Sequence, residues 1–283
     1  MSSRVRWLIM LLLGASLGLA ACYSATIIRN RTYHPSDADL SITRLVHASA
    51  VIDFRETRLL LDPWYSPTPP LGPDEPIGIS LENLPTMRGL LITHKHDDHF
   101  DADTLREYPD KSLPVIVPKG LGASLQELGY KSVTELDPWE RSQIGSVIVT
   151  AVPARHRVPE IGFVLQANSV TLYVAGDTRF DAAMFGEIAK LFPSIDAALL
   201  PVGGIRIMGR RLDMTPDEAA AAFEILHPRH VIPYHYGLTG PFPFILTAST
   251  PAKALKDALS AKSSEEGAAV VILEPGESWH HYR

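Results

Sequence analysis

The sequence predicts an α/β layered domain. Short apolar runs alternate with helical signals through both halves of the chain, the pattern of a mixed layered fold rather than of a bundle or an all-β sandwich. Four of those runs, at 89–93, 147–154, 170–175 and 231–234, each lead into a residue type that binds metals. If the four were neighbouring strands, their ends would share one edge of a sheet. With no short-period repeat, the 283 residues fit one large domain or two small ones behind an N-terminal leader.

The leader occupies residues 1–21. Arg4 and Arg6 precede an apolar run that continues through small residues to Leu19-Ala20-Ala21-Cys22, the layout of a secretory signal with a cleavage site. That ending resembles the lipobox of bacterial lipoproteins, in which Cys22 is acylated and becomes the new N-terminus. A transmembrane helix is the alternative, but the purely apolar stretch is short against a span of about 20 residues. The resemblance implies a lipid anchor on Cys22 in a bacterial cell envelope. By further resemblance, Tyr23 after the cysteine favours the periplasmic side of the outer membrane. Residues 22–39 are polar and aperiodic and read as a tether, with the fold starting near Leu40 and running to 283.

Composition narrows the function classes. Cys22 is the single cysteine, so no internal disulfide and no thiolate metal ligand is available. The formal net charge is −6, and losing Arg4 and Arg6 makes it more negative still. Nucleic acid is excluded as a partner on that balance, since neutralising phosphates needs a basic surface.

From Leu40 onward, residues 41–47, 51–54 and 58–61 read as short strands between turn-sized breaks. Seven prolines between 62 and 88 prevent regular structure there, and this long connection either walls a pocket or covers the surface. Helices are predicted over 101–107, 121–128 and 182–191. Thr215-Pro216-Asp217-Glu218 combines a cap hydroxyl, proline at the first helical position and glutamate three residues on, and starts a helix running to 226. A helix over 251–259 and a strand over 269–273 close the chain.

The chemistry is concentrated in Thr93-His94-Lys95-His96-Asp97-Asp98-His99. Imidazole and carboxylate suit zinc and neighbouring metals, and His94, His96, Asp98 and His99 lie within six residues. His156, Asp177 and His235 follow the other three apolar runs, so seven ligand-type residues are expected to converge.

The H-x-H-x-D-H run, Gly176-Asp177-Thr178 and the late His235 resemble the metallo-β-lactamase superfamily, over essentially all of the chain from Leu40. The resemblance implies a four-layered αββα sandwich with a two-metal site on its edge. It assigns His94, His96 and His156 to one metal, Asp98, His99 and His235 to the second, and Asp177 as the bridge. Two divalent cations, with zinc favoured and manganese or iron compatible, can share a water and ionise it near neutral pH; the hydroxide is then the nucleophile of a hydrolase. Asp98 can also relay a proton. The missing cysteine departs from the best-known penicillin-hydrolysing pattern, and His96 departs from the glutamate of oxygen-reducing di-iron relatives.

Four further stretches narrow the branch: Leu59-Leu60-Leu61-Asp62-Pro63, Pro201-Val202-Gly203-Gly204, Met214-Thr215-Pro216-Asp217-Glu218-Ala219 and Pro233-Tyr234-His235-Tyr236-Gly237. They resemble the branch containing N-acyl-phosphatidylethanolamine phospholipase D and ascorbate-6-phosphate lactonase. That implies a phosphodiester or related ester substrate, with a lactone as the alternative. A metal-containing envelope lipoprotein that binds without turnover is the non-enzymatic alternative. His47, in a family-like His47-Ala48-Ser49, is a candidate for supporting the site or touching substrate. Arg155 and Arg157 flank His156 and would suit an anionic group, or simply lie on the surface. Phe242 and Phe244 could hold an acyl chain or pack in the core. His34, His227, His230, His280 and His281 read as structural.

Overall fold

The computed structural model describes residues 31–67 and 71–283, so the leader and Cys22 lie outside the described residues. Two sheets face each other. One has seven strands, in the spatial order Ser278–His281, Leu40–Val46, Ser49–Phe54, Thr57–Leu61, Gly89–Leu91, Pro114–Pro118, Ser132–Leu136. The other has six, in the order His230–Tyr234, Ala197–Pro201, Val170–Val174, Ile161–Ala167, Val147–Pro153, Arg141–Ile144.

Both faces of each sheet are covered, which is why the strands read as nearly continuous apolar runs. Successive side chains point to opposite faces. Ile52, Phe54, Leu59 and Leu61 therefore meet Phe163, Leu165, Leu172 and Val174 in the core between the sheets. The alternate residues Tyr173, Ala198 and Leu200 face outward onto the helices Ala182–Leu191, Pro216–Leu226 and Pro251–Ser260. On the other side Val51, Leu60, Leu90 and Val115 face Leu105 and Leu125 of the helices Ala102–Glu107 and Gly122–Glu127. The layers are thus α, β, β, α.

Local signals account for the element starts. Thr215 forms a capping box with Glu218, and Pro216 opens that helix. Asp101 sits just outside its helix as the cap, accepting from the backbone N–H groups of Asp103 and Thr104. Its second oxygen accepts from the backbone of Tyr65 and Ser66, which pins the proline-rich connection beside the metal-binding run. Trp64, at the start of that connection, is buried.

Three expectations need correction. Residues 269–273 form no strand: the chain turns through the helix Ser264–Ala268 and pairs only at the bridge between Val231 and Val270, and the closing strand is Ser278–His281. Pro275 and Gly276, the latter at φ +84°, make the turn that leads into that closing strand. The described residues before Leu40 are not a free tether: the Arg31 N–H donates to the Gly78 carbonyl and the Tyr33 hydroxyl to Asp53. The four ligand-bearing runs do not share one sheet either. Gly89–Leu91 belongs to the seven-stranded sheet and the other three to the six-stranded sheet, so the ligands meet where two sheet rims adjoin. The Ile161 N–H donates to the Thr93 carbonyl and ties the rims together.

Candidate metal centre

Val147–Pro153 and Val170–Val174 are each antiparallel to the strand between them, Ile161–Ala167. They therefore run in the same direction, and His230–Tyr234 runs parallel to both through Ala197–Pro201. Their C-terminal ends open on one rim and deliver His156, Asp177 and His235. The turn after Gly89–Leu91 delivers the other ligands from across the interface between the sheets.

All seven expected residues gather here in two adjoining groups. His94, His96, His156 and Asp177 form one, and His47, Asp98, His99 and His235 the other. In the first, Nε2 of His94 lies 2.9 Å and Nε2 of His156 3.2 Å from Nδ1 of His96. Asp177 reaches into the second, with Oδ1 3.1 Å from His99 Nε2 and Oδ2 2.8 Å from His235 Nε2. A carboxylate in contact with ligands of both groups is placed to bridge two cations.

The donor set fits metal ions. His99 Nε2, His235 Nε2 and Asp177 Oδ1 are buried and make no aligned hydrogen bond. An unpaired buried polar atom is costly, and a cation removes that cost for all three. His47 adds a further sign. Its Nδ1 lies 3.1 Å from the Tyr236 carbonyl, which can only accept, so Nδ1 carries the proton. Nε2 of the neutral ring then turns a lone pair toward Asp98 Oδ2 at 3.2 Å. Two acceptors facing each other call for a cation beside them.

The outer carboxylates fix the rings. Asp62 holds His99 Nδ1 at 2.7 Å and Asp213 holds His235 Nδ1 at 2.8 Å, leaving Nε2 of each ring for a metal. Glu160 lies 3.5 Å from His94 Nδ1 and 3.6 Å from His156 Nδ1, and accepts from the Asp177 N–H. A Cβ on Gly176, whose φ is +71°, would collide with that glutamate. Glycine at this turn therefore lets Asp177 close onto Glu160. His47, Asp62 and His235 also sit at positive φ, each just past the end of a strand. For non-glycine residues that is strain of about 1–3 kcal/mol each, held by the surrounding packing.

Proton affinities differ across the centre. Burial pushes the His94 imidazole well below its ordinary value and lowers His96 as well; burial brings His156 down to about 4. Burial also opposes protonation of His99 and His235, but the carboxylates around them, Asp177 foremost, outweigh it and raise both well above the ordinary range. Asp177 and Asp98 are correspondingly held low: the imidazoles of His235 and His99 overcome the effect of burial on Asp177, and chiefly His99 overcomes it on Asp98.

Residues 57–236 match the family model of the beta-lactamase superfamily domain. The chain belongs to the beta-lactamase superfamily. It is 33% identical over 253 residues to a UPF0173 metal-dependent hydrolase of Pyrococcus furiosus, covering 84% of this chain and 98% of the relative. It is 25% identical over 273 residues to the N-acyl-phosphatidylethanolamine-hydrolyzing phospholipase D 1 of Caenorhabditis elegans, covering 86% and 76%. The solved structure of Igni18, a metallo hydrolase from Ignicoccus hospitalis, has the same fold, with a TM-score of 0.66, 22% identity, and 85% of this chain and 97% of that one aligned. The protein is thus a metal-dependent hydrolase with the metallo-β-lactamase fold, and the non-enzymatic alternative falls.

Beside the hydrolase centre lies a cavity of about 610 Å³, onto which His96, Asp98, Asp177 and His235 open. Lys95, Arg157 and Arg210 line it as cations, together with the apolar side chains of Ile205, Ile207 and Leu212. Of the expected substrate contacts, Arg157 is here and His47 lies buried behind Asp98. Arg155 is not: it turns out to pair with Asp181 at 2.6 Å. Phe242 and Phe244 also miss the cavity wall and stand in solvent. Asp62, Asp213 and Glu160 carried no role in the sequence reading, although Asp62 lies in the Leu59–Pro63 motif and Glu160 stands four residues after His156.

Proposed function

We propose that the hydrolase cleaves a phosphodiester of phospholipid type at a binuclear centre. The observation that carries this reading is the cavity, which joins the two ligand groups to three cationic side chains and an apolar wall. Such a lining suits a ligand with an anionic head and a hydrocarbon tail.

His94, His96, His156, Asp98, His99 and His235 would hold two divalent cations with Asp177 between them, and the donors, nitrogen and oxygen without sulfur, favour zinc. Bound there, the cations would supply Lewis acidity and an ionised water at neutral pH. The chain's own residues do the rest. Asp98, kept ionised, would offer a carboxylate oxygen as proton acceptor to a water at the centre, and the buried His47 ring, with Nε2 3.2 Å from Oδ2, packs behind that carboxylate. Arg157, Lys95 and Arg210 would orient phosphate oxygens, Arg157 and Arg210 by their forked donors. Ile205, Ile207 and Leu212 exclude water from the apolar end.

The phospholipase D relative supports the phosphodiester reading, and a lipid anchor on Cys22 in a bacterial envelope would concentrate such a substrate around the enzyme. Metal-loaded protein assayed against phosphodiesters, phospholipids and lactones tests it. Phospholipid turnover is expected. Lactone hydrolysis without diester cleavage would transfer the enzyme to the lactonase reading.

A further inference from the structure

Among the described residues, eight large apolar side chains are exposed, and four of them, Met208, Phe242, Phe244 and Leu246, belong to one small flap at the mouth of the cavity. Phe242 is 83% and Met208 75% exposed, values that mark them as surface features and not core at its edge. The flap is a three-stranded sheet of two-residue strands, in which Arg206 pairs with Arg211 on one side and with Leu246 on the other. The Met208 N–H donates to the Phe244 carbonyl at 2.7 Å, so the hairpin tip and the aromatic turn form one edge.

Directly opposed residues in an antiparallel ladder share a face. Ile207 with its partners Arg210 and Ile245 therefore makes one face, and Ile207 and Arg210 line the cavity. Arg206, Arg211 and Leu246 make the outer face. Met208 belongs to both the cavity wall and the exposed tip, so the apolar surface is continuous from solvent to the metal centre.

Charge identifies what covers this edge. Residues 203–212 and 237–250 carry three arginines and no Asp or Glu, in a chain of net charge −6. Arg211 pairs with Glu218, while Arg206 and Arg210 pair with no carboxylate among the described residues. Aromatic and apolar tips beside two arginines with no carboxylate partner among the described residues match the interface of an anionic bilayer, where rings sit at headgroup level and arginines meet lipid phosphates. An acidic protein partner would need no exposed pair of phenylalanines at a loop tip.

We infer that the flap carrying Met208, Phe242 and Phe244 docks on an anionic lipid surface and opens the cavity directly onto it. The docking rests on surface geometry and charge and does not require the phosphodiester reading. Cys22→Ser leaves no cysteine, so Phe244→Cys or, as control, Lys131→Cys at the opposite rim can be labelled with an environment-sensitive nitrobenzoxadiazole dye in the full chain. The label is read on phosphatidylcholine vesicles with and without one quarter phosphatidylglycerol. Vesicle binding through the leader would not by itself place the flap in lipid, so the measured quantity is where the dye lies. At 244 we expect a blue shift, a rise in emission of roughly twofold or more, and quenching by nitroxide lipids, all stronger with phosphatidylglycerol and reduced by Arg206→Glu. At 131 no change is expected. A dye at 244 that stays in water on vesicle-bound protein, or equal changes at both positions, overturns the proposal. Turnover of a soluble aryl phosphodiester, followed in the same samples, separates the two readings: turnover without insertion defeats the docking alone, and insertion without turnover defeats the phosphodiester reading alone.

Discussion

The two ligand groups share a rim, contact with the Asp177 carboxylate and the same residue types, yet hold protons in opposite ways. Around His94, His96 and His156 burial dominates, and all three imidazoles are shifted down. Around His99 and His235 the carboxylates dominate, and both imidazoles are shifted up. The difference lies behind the ligands. Asp62 and Asp213 each contact one ring of the second group, whereas the first group shares Glu160, whose own carboxyl is pushed up by burial. A metal entering the first group meets neutral rings, while one entering the second must displace protons.

The strongest way to break this contrast is to remove what the groups share. Asp177→Ala should empty both sites and lower turnover by on the order of a thousandfold or more, with elemental analysis showing well under one metal per chain. Asp98→Asn should retain the fold by circular dichroism but lose about a hundredfold or more in turnover, because the proton acceptor is gone. Near-normal turnover in that variant would remove Asp98 from the mechanism.

Smaller effects sharpen the contrast. As pH falls, protons compete for His99 and His235 first, since their proton affinity is raised. The second metal should therefore leave at a higher pH than the first, whose histidines all have lowered proton affinity, and metal content followed through an acid titration checks the order. Asp213→Asn should weaken the second metal by about 10–100-fold and barely touch the first, measured by competition with a chelating dye. Least of all, Thr215→Ala should cost about 1 kcal/mol in denaturant unfolding through loss of the helix cap, leaving both metals bound.

The ligands were legible in the sequence because coordination needs particular side chains at strand ends, and the H-x-H-x-D-H run compresses four of them. The Thr215 capping box was legible because its signals are local. Asp62 and Asp213 act through partners that are 37 and 22 residues away, and no spacing rule exposes such contacts; Glu160 reaches Asp177 across 17 residues in the same way, and only its place four residues after His156 is local. The split of the ligand runs between two sheets was hidden for the same reason: apolar runs show that both faces are buried, not which strands are neighbours. Phe242 and Phe244 misled by composition, since an apolar segment reads alike whether it faces a cavity or solvent.

Titrating zinc into metal-stripped protein by calorimetry, at pH 7.5 and again at pH 5.5, tests the two-group account most directly. Two binding events are predicted at the higher pH, the weaker one releasing protons, with only the tighter event surviving at the lower pH. A single event at both values, or two events weakened equally by acid, would contradict it.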